Sequence, residues 1–351
     1  MTPLLHPFLV NDPFGDPAVY IELKLARRGL LLDLGDLHVL PPRKILRLTD
    51  IFVSHLHVDH FIGFDQVLRT LLGREQTVRL YGPAGILEAV GHRLAGHSWN
   101  LVDRFATDLI FAVTKIRSEG EATTARFCLK HRFGREGEAP VPLHDGILLD
   151  DHRLRVRAAV LDHGIPCLAY AVKESAHVNV WKTRLQELGL PVGPWLRELK
   201  EAVLSGAPDD TPTRAVAPRS GDGESHALPL GLLKEKVLQV LPGQKIAYVV
   251  DAAYTEDNVR RITALTKDAD ILFIEACFAA DESERAADRM HLTTAQAGTL
   301  GRLAGVRRLE SFHFSPRHAS EEARLRQEVA DTFAGRAEAN GLPPGRSGAS
   351  P

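Results

Sequence analysis

The sequence predicts an α/β fold, and three observations carry that prediction. Short apolar runs of strand length alternate with stretches of helical periodicity along most of the chain. Histidines and aspartates stand directly behind several of those runs, at the strand ends where open sheets place their sites. The 351 residues are 44% hydrophobic and 25% charged, which is enough apolar material for a large core under an ordinary charged surface.

The elements follow in order. Residues 18–35 read as two strands, Ala18–Ala26 and Gly29–Leu34, turning at Arg27, Arg28 and Gly29. Ile51–Ser54 is the next strand, and Asp65–Leu72 has helical spacing. Val78–Tyr81 is a short strand, followed by a Gly82-Pro83-Ala84-Gly85 turn and a helix from Ile86 to about Ala95. Leu109–Ile116, Thr124–Lys130, Gly146–Leu149 and Leu154–Leu161 are β-rich.

From Lys173 to Pro242 the rhythm breaks. Helical patterns at Trp181–Leu188 and Trp195–Leu204 precede a Pro/Asp/Thr/Gly/Ser-rich stretch, Ala207–Gly223, expected to be mobile. This region reads as an insertion projecting from the core. The strand pattern resumes at Ile246–Val250, then a helix at Glu256–Thr266 and a strand at Ile271–Glu275. Thr293–Leu303 is helical, Leu309–Phe312 is the last strand and Glu321–Ala334 a closing helix. The expected organisation is a core half over 1–172, an inserted arm over 173–242, a second core half over 243–337 and a disordered tail over 338–351.

Composition excludes several classes. No run of about 18 uncharged apolar residues exists to span a membrane. Pro3, His6, Pro7 and Asp12 interrupt the start, so no secretory signal is read. Cys128, Cys167 and Cys277 are scattered and odd in number, which reads as reduced thiols in a cytoplasmic protein. A net charge of −2 gives no broad nucleic-acid-binding surface. Lys24, Arg27 and Arg28, and likewise Arg302, Arg307 and Arg308, read as solvated faces, so nucleic acid would have to be gripped locally.

The chemistry is concentrated in His55-Leu56-His57-Val58-Asp59-His60, directly behind Ile51-Phe52-Val53. Four metal-capable side chains fall within six residues, and imidazoles with a carboxylate suit zinc or another borderline divalent ion. His55 and His57 alternate with Leu56, so an extended backbone turns both toward one site. Three further candidates each follow an apolar β-like run: His163, Asp251 and His313.

These residues resemble the H-x-H-x-D-H motif and the later ligands of the metallo-β-lactamase superfamily. The resemblance implies a four-layer αβ/βα sandwich with metal at the edge of its sheets. It assigns His55, His57 and His163 to one ion, Asp59, His60 and His313 to a second, and Asp251 to a bridge between them. Two zinc ions per chain are expected, with Mn2+ or Fe2+ as substitutes. A pair of metals ~3.5–4 Å apart can hold a hydroxide and grip phosphoryl oxygens. In this superfamily a His at position 57 goes with hydrolases, whereas the di-iron oxidoreductase branch usually carries Glu there. Asp33 is expected to buttress the metal loop.

The second half is similar to the ribonuclease Z family of tRNA 3′-processing endonucleases. Phe312-His313-Phe314-Ser315-Pro316-Arg317-His318 resembles its H-F-S-x-R-Y segment, which implies phosphate contacts from Ser315 and Arg317. Glu275-Ala276-Cys277-Phe278 resembles E-A-T-F, and His291-Leu292-Thr293 resembles H-S-T. By that resemblance Glu275 orients His291, which protonates the departing 3′ oxygen, and the catalytic set is Asp59, Glu275 and His291. Glu187–Lys200 resembles the family's flexible arm, which grips tRNA and here would use Gly193, Pro194 and Lys200. A homodimer is implied, each arm serving the partner's site.

The chain also departs from the family. Val58 stands where Gly is common and His318 where Tyr is usual, and the Gly-Thr-Gly opening is missing. From Lys173 to Arg219 seven Lys/Arg face six Asp/Glu, almost neutral for an RNA grip. The expectation is therefore a zinc phosphodiesterase cutting precursor tRNA. The alternatives are the same chemistry on a small or cyclic-nucleotide phosphodiester, and a catalytically silent RNA-binding protein, whose mark would be lost metal ligands.

Overall fold

The computed structural model describes residues 4–23, 26–215 and 226–338. Lys24, the 216–223 portion of the Pro-rich stretch and the tail beyond 338 lie outside the described residues.

The first half builds one sheet. Its strands are β1 (Leu5–Leu9), β2 (Val19–Leu23) and β3 (Arg28–Leu32), then helix α1 (Pro42–Ile45) and β4 (Leu48–Phe52). Helices α2 (Val58–Phe61) and α3 (Phe64–Leu71) lead to β5 (Gln76–Gly82) and α4 (Ile86–Ala95). Strands β6 (Leu109–Ile116), β7 (Glu121–Cys128) and β8 (Arg135–Pro142) complete an eight-stranded sheet in simple chain order. Strands β3 to β6 run parallel, so their C-terminal ends open on one edge.

Next come β9 (Ile147–Asp150), β10 (Leu154–Asp162) and β11 (Pro166–Glu174). A second compact unit takes in Leu149–Arg155 and Lys173–Gln244. It holds β12 (Ala176–Val180), α5 (Lys182–Glu187), α6 (Trp195–Leu204), β13 (Pro212–Ala215), β14 (His226–Pro229), α7 (Leu230–Val237) and β15 (Leu238–Pro242). β12 pairs with β15 and β13 with β14, so this insertion is mixed rather than purely helical. It carries its own apolar cluster, in which Leu185, Leu190, Trp195, Leu199 and Leu233 are buried.

The core then resumes with β16 (Lys245–Val249), α8 (Glu256–Thr266), β17 (Ile271–Glu275), α9 (Ser283–Asp288), α10 (Thr294–Leu303), β18 (Leu309–Phe312) and α11 (Glu322–Phe333). Its sheet runs β18-β17-β16-β11-β10-β9, with β16, β17 and β18 parallel.

Period-two alternation explains the layering. On β4, Ile51 and the following Val53 pack with Phe64, Val67, Ile86 and Val90 of α3 and α4. Phe52 points the other way and meets Tyr170 of β11, with ring centroids 5.4 Å apart. On β16, Ala247 and Val249 pack under α8, α10 and α11, while Tyr248 turns toward the first sheet and bonds Asp33. Two sheets thus lie face to face, each with helices on its outer side. Such strands are apolar on both faces, which is why they are visible as continuous runs in the sequence.

Sequence boundaries shift by a few residues at most elements. Seven strands were not anticipated: β1, β8, β11 and the four of the insertion, β12 to β15. In β8 every residue is exposed, so no hydrophobic period marks it.

Candidate metal centre

The site forms where parallel strands end. β3 ends at Leu32 and Asp33 follows; β16 ends at Val249, two residues before Asp251; β18 ends at Phe312 and His313 follows. Asp33, Asp251 and His313 all adopt left-handed backbone, with φ of 60°, 44° and 57°. That conformation costs a non-glycine residue about 1–2 kcal/mol, and such strain collects at functional sites. Here it turns the chain sharply, so that the side chain is delivered to the sheet edge.

The loop after β4 is built differently. His57, in extended conformation, is the residue preceding α2, so a single helical turn carries Asp59 and His60. Gly63 then closes against the Asp33 loop, its N–H donating to the Leu34 carbonyl at 2.8 Å. A β-carbon at Gly63 would lie 2.2 Å from the Gly35 carbonyl oxygen, so only glycine fits.

The seven expected ligands come together. His55, His57, His163 and Asp251 form one group, and Asp59, His60 and His313 another, with candidate ligand atoms in each group within 4.8 Å of one another. Asp251 sits between them: its Oδ2 is 3.4 Å from His55 Nε2, 3.4 Å from His60 Nε2 and 3.6 Å from His163 Nε2. Its other oxygen lies 3.2 Å from His313 Nε2. His57 stacks edge-on to His55 and His163, with centroids 4.4 and 5.2 Å away.

The outer nitrogens are occupied and the inner ones are not. Ser54 Oγ lies 3.0 Å from His55 Nδ1, Asp33 Oδ2 2.9 Å from His60 Nδ1, and the Met290 carbonyl 2.7 Å from His163 Nδ1. Such contacts set ring orientation and tautomer, as around a bound metal. The buried inner atoms His55 Nε2, His60 Nε2 and Asp251 Oδ1 make no hydrogen bond. Buried polar atoms rarely stay unpaired, and these converge on one place, so the residues fit divalent cations.

The electrostatics agree. Burial, aided by the neighbouring charge of His60, pushes the His55 imidazole down to about 2, keeping it in the neutral, ligating form. Burial also lowers His57, with His163 adding to the effect. His60 is forced the other way: burial opposes its charge, but Asp251 and Asp33 raise it well above the usual range. Burial would raise Asp59, yet the nearby His60, whose Nε2 lies 3.4 Å away, holds it at about 2. Asp251 stays far below the ordinary carboxylate range despite burial, because His313 and His60 face it.

Beside this cluster, Glu275 ends β17 fully buried. Its Oε1 accepts from the Ala252 N–H at 2.8 Å and its Oε2 lies 3.0 Å from His291 Nδ1. Burial lowers His291, but the charge and hydrogen bond of Glu275 outweigh it and lift the ring to about 9. The His291 loop is tied to the strand end through Phe278, whose N–H donates to Leu292 O and whose carbonyl accepts from Thr294. Cys277 lies in the same cluster as Glu275 and His291, and burial pushes its thiol up.

Ser315 and Arg317 are less closely held. Ser315 is half-buried, its N–H donating to the Cys277 carbonyl at 3.0 Å, and Arg317 is exposed in the short turn Pro316–His318. His318 points away to Glu282, 2.7 Å from its Nε2. In the inserted unit Gly193 is half-buried, Pro194 exposed and Lys200 half-buried, where burial lowers its ammonium. Sequence reasoning missed Ser54, Cys167, Tyr248 and Asn258. Asn258 receives the Asp162 N–H and donates to the Asp162 and Ala253 carbonyls, buckling the His163 and Asp251 loops together.

No protein-family model matches the chain. It is 31% identical over 335 residues to the ribonuclease Z of Deinococcus radiodurans, covering 92% of this chain and 93% of that one. It is 30% identical over 294 residues to the ribonuclease BN of Cronobacter sakazakii, covering 82% and 78%. Among solved structures, the metallo-β-lactamase fold protein YhfI from Bacillus subtilis superposes with a TM-score of 0.52 at 14% identity, over 94% of each chain. The short form of human tRNase Z gives 0.50 at 18% identity, covering 90% and 93%. Fold and site together define a divalent-metal protein of the metallo-β-lactamase fold. Within that class, the chain belongs to the ribonuclease Z family, and it is a metal-dependent hydrolase.

Proposed function

We propose that this chain is an endoribonuclease that cleaves precursor tRNA at its 3′ end with two zinc ions. The observation that carries the reading is the Glu275–His291 pair, 3.0 Å apart and directly beside Asp251. It adds a proton donor to a ligand cluster, the combination that cleavage at a ribose oxygen requires.

His55, His57 and His163 would hold one ion, Asp59, His60 and His313 the other, and Asp251 would face both. The mixture of imidazole and carboxylate suits zinc. When bound, the metals supply a water of lowered pKa and Lewis-acid stabilisation of the phosphoryl oxygens.

The remaining work falls to the chain. Glu275 holds the imidazolium of His291 by its Nδ1–H, and that ring donates a proton to the departing 3′ oxygen. Lifted to about 9, it is protonated at neutral pH. A positioned acid is worth ~10²–10⁴-fold in rate. Asp59 contributes its carboxylate to the site where the attacking water is oriented. Ser315 and Arg317 would bind the phosphate, and the Gly193-Pro194 turn with Lys200 would contact the RNA. Three free thiols support a cytoplasmic setting, and among the described residues no helix is long and apolar enough to cross a membrane. A homodimer completes the proposal.

Steady-state cleavage of precursor tRNA and of bis(p-nitrophenyl) phosphate, at measured metal content, tests the reading. Cleavage at the 3′ end of the acceptor stem is expected. Hydrolysis of the nitrophenyl ester alone would favour the small-phosphodiester reading, for which the nearly neutral insertion speaks.

A further inference from the structure

We propose that Glu275, Cys277 and His291 form a third metal site, which takes a thiophilic divalent ion such as Cd2+ or surplus Zn2+ and thereby disarms His291. Its functional consequence rests on the reading of His291 as proton donor; the site itself does not.

The geometry is already assembled. One ligand atom from each of the three lies within 4.8 Å of the others. Around zinc, with bonds of ~2.0–2.3 Å, ligand atoms stand roughly 3.3–3.8 Å apart, so small rotamer changes close the set. Glu275 Oε1 is engaged by Ala252, but Oε2 is shared only with His291 and can turn to an ion. The Cys277 thiol is free and half-buried. Glu275 is fully buried and the His291 side chain is 17% exposed, so an ion would enter from the His291 side.

Chemistry selects the guest. A thiolate ligand favours cadmium and zinc over magnesium, calcium or manganese. On capture the Cys277 thiol and the His291 imidazolium each release a proton to solvent, and thiolate plus carboxylate neutralise the dication in a buried place. The deprotonated His291 nitrogen exchanges its hydrogen bond to Glu275 for a metal bond, so the ring is no longer the imidazolium that serves as the acid. The seven expected ligands of the main centre include no sulfur, and the Cys167 thiol beside His55 is engaged by the Val250 carbonyl at 3.2 Å. The other mixed cluster, Cys128, His131 and Glu136, differs in exposure: its His and Glu side chains are 62% and 43% exposed, where water competes for the ion.

The experiment is a Cd2+ titration of the zinc-loaded enzyme, followed by thiolate-to-cadmium charge-transfer absorption. The band should appear in the unaltered chain and in Cys128→Ser, and vanish in Cys277→Ser. RNA cleavage should fall by about 10²-fold with Cd2+, the scale of a lost general acid, and Cys277→Ser should resist. Should that variant fold poorly, Cd2+ protection from alkylation in the unaltered chain replaces it, with Cys277 shielded and Cys128 not. A band that survives in folded Cys277→Ser, or Cys277 alkylated equally with and without Cd2+, would overturn the proposal. A chain that shows the band but cuts no RNA keeps the site and removes only the ribonuclease reading.

Discussion

Tyr248 donates its hydroxyl proton to Asp33 over 2.7 Å, joining residues 215 positions apart and thereby both sheets. The same carboxylate receives the Ser54 N–H at 2.6 Å, the Ser54 hydroxyl at 2.7 Å and His60 Nδ1 at 2.9 Å. Tyr248→Phe should leave the fold intact but loosen the orientation of His60. A hydrogen bond to a charged group contributes about 1.5–3 kcal/mol, and loss of such outer support typically costs ~10–100-fold in metal affinity. Competition titration with a chelator checks this; unchanged affinity would show that Asp33 needs no help from the second sheet.

Asp251→Asn should lower zinc content well below that of the unaltered chain. Asparagine tolerates left-handed backbone, so the substitution removes charge without disturbing the turn at φ 44°. Two full equivalents per folded chain, by metal analysis, would sink the bridging role.

His291→Ala should keep its metals yet slow RNA cleavage by about 10²-fold or more, while a nitrophenyl ester suffers much less. A ribose oxygen leaves as a strong base and needs a proton, whereas nitrophenolate does not. The ratio of the two kcat values, at equal metal content, is the readout. Matching losses would exclude His291 as the acid.

Ala176 and Pro242 lie directly opposite each other in the β12–β15 ladder, so the insertion can be excised at its neck. Joining them through a two-residue Asn-Gly turn should spare hydrolysis of bis(p-nitrophenyl) phosphate and abolish tRNA cleavage. Equal loss of both activities would make the insertion structural rather than a substrate grip.

The candidate ligand residues were legible because they cluster behind apolar runs, and a doubly covered sheet makes such runs continuous. His55, His163, Asp251 and His313 could all be found this way. What stayed hidden depends on geometry that residue type does not encode. Nothing in the letters around Asp33, Asp251 or His313 announces a left-handed turn, since glycine is the usual sign. Ser54 and Tyr248 read as members of apolar strands, and their hydroxyls gain meaning only once two distant segments face each other. The strand Arg135–Pro142 escaped for the opposite reason: with both faces in solvent, it carries no pattern to detect.

The two margins of the eight-stranded sheet have a bearing on aggregation. β1 and β8 are its outermost strands; β1 carries Pro7, and β8 carries Pro140 and Pro142 among charged Arg135, Glu136 and Glu138. Proline offers no N–H to an incoming strand, and charge repels a like neighbour, so both borders are poor templates for ladder growth. Copies of this chain can therefore meet at high concentration without this sheet zipping edge to edge into fibrils.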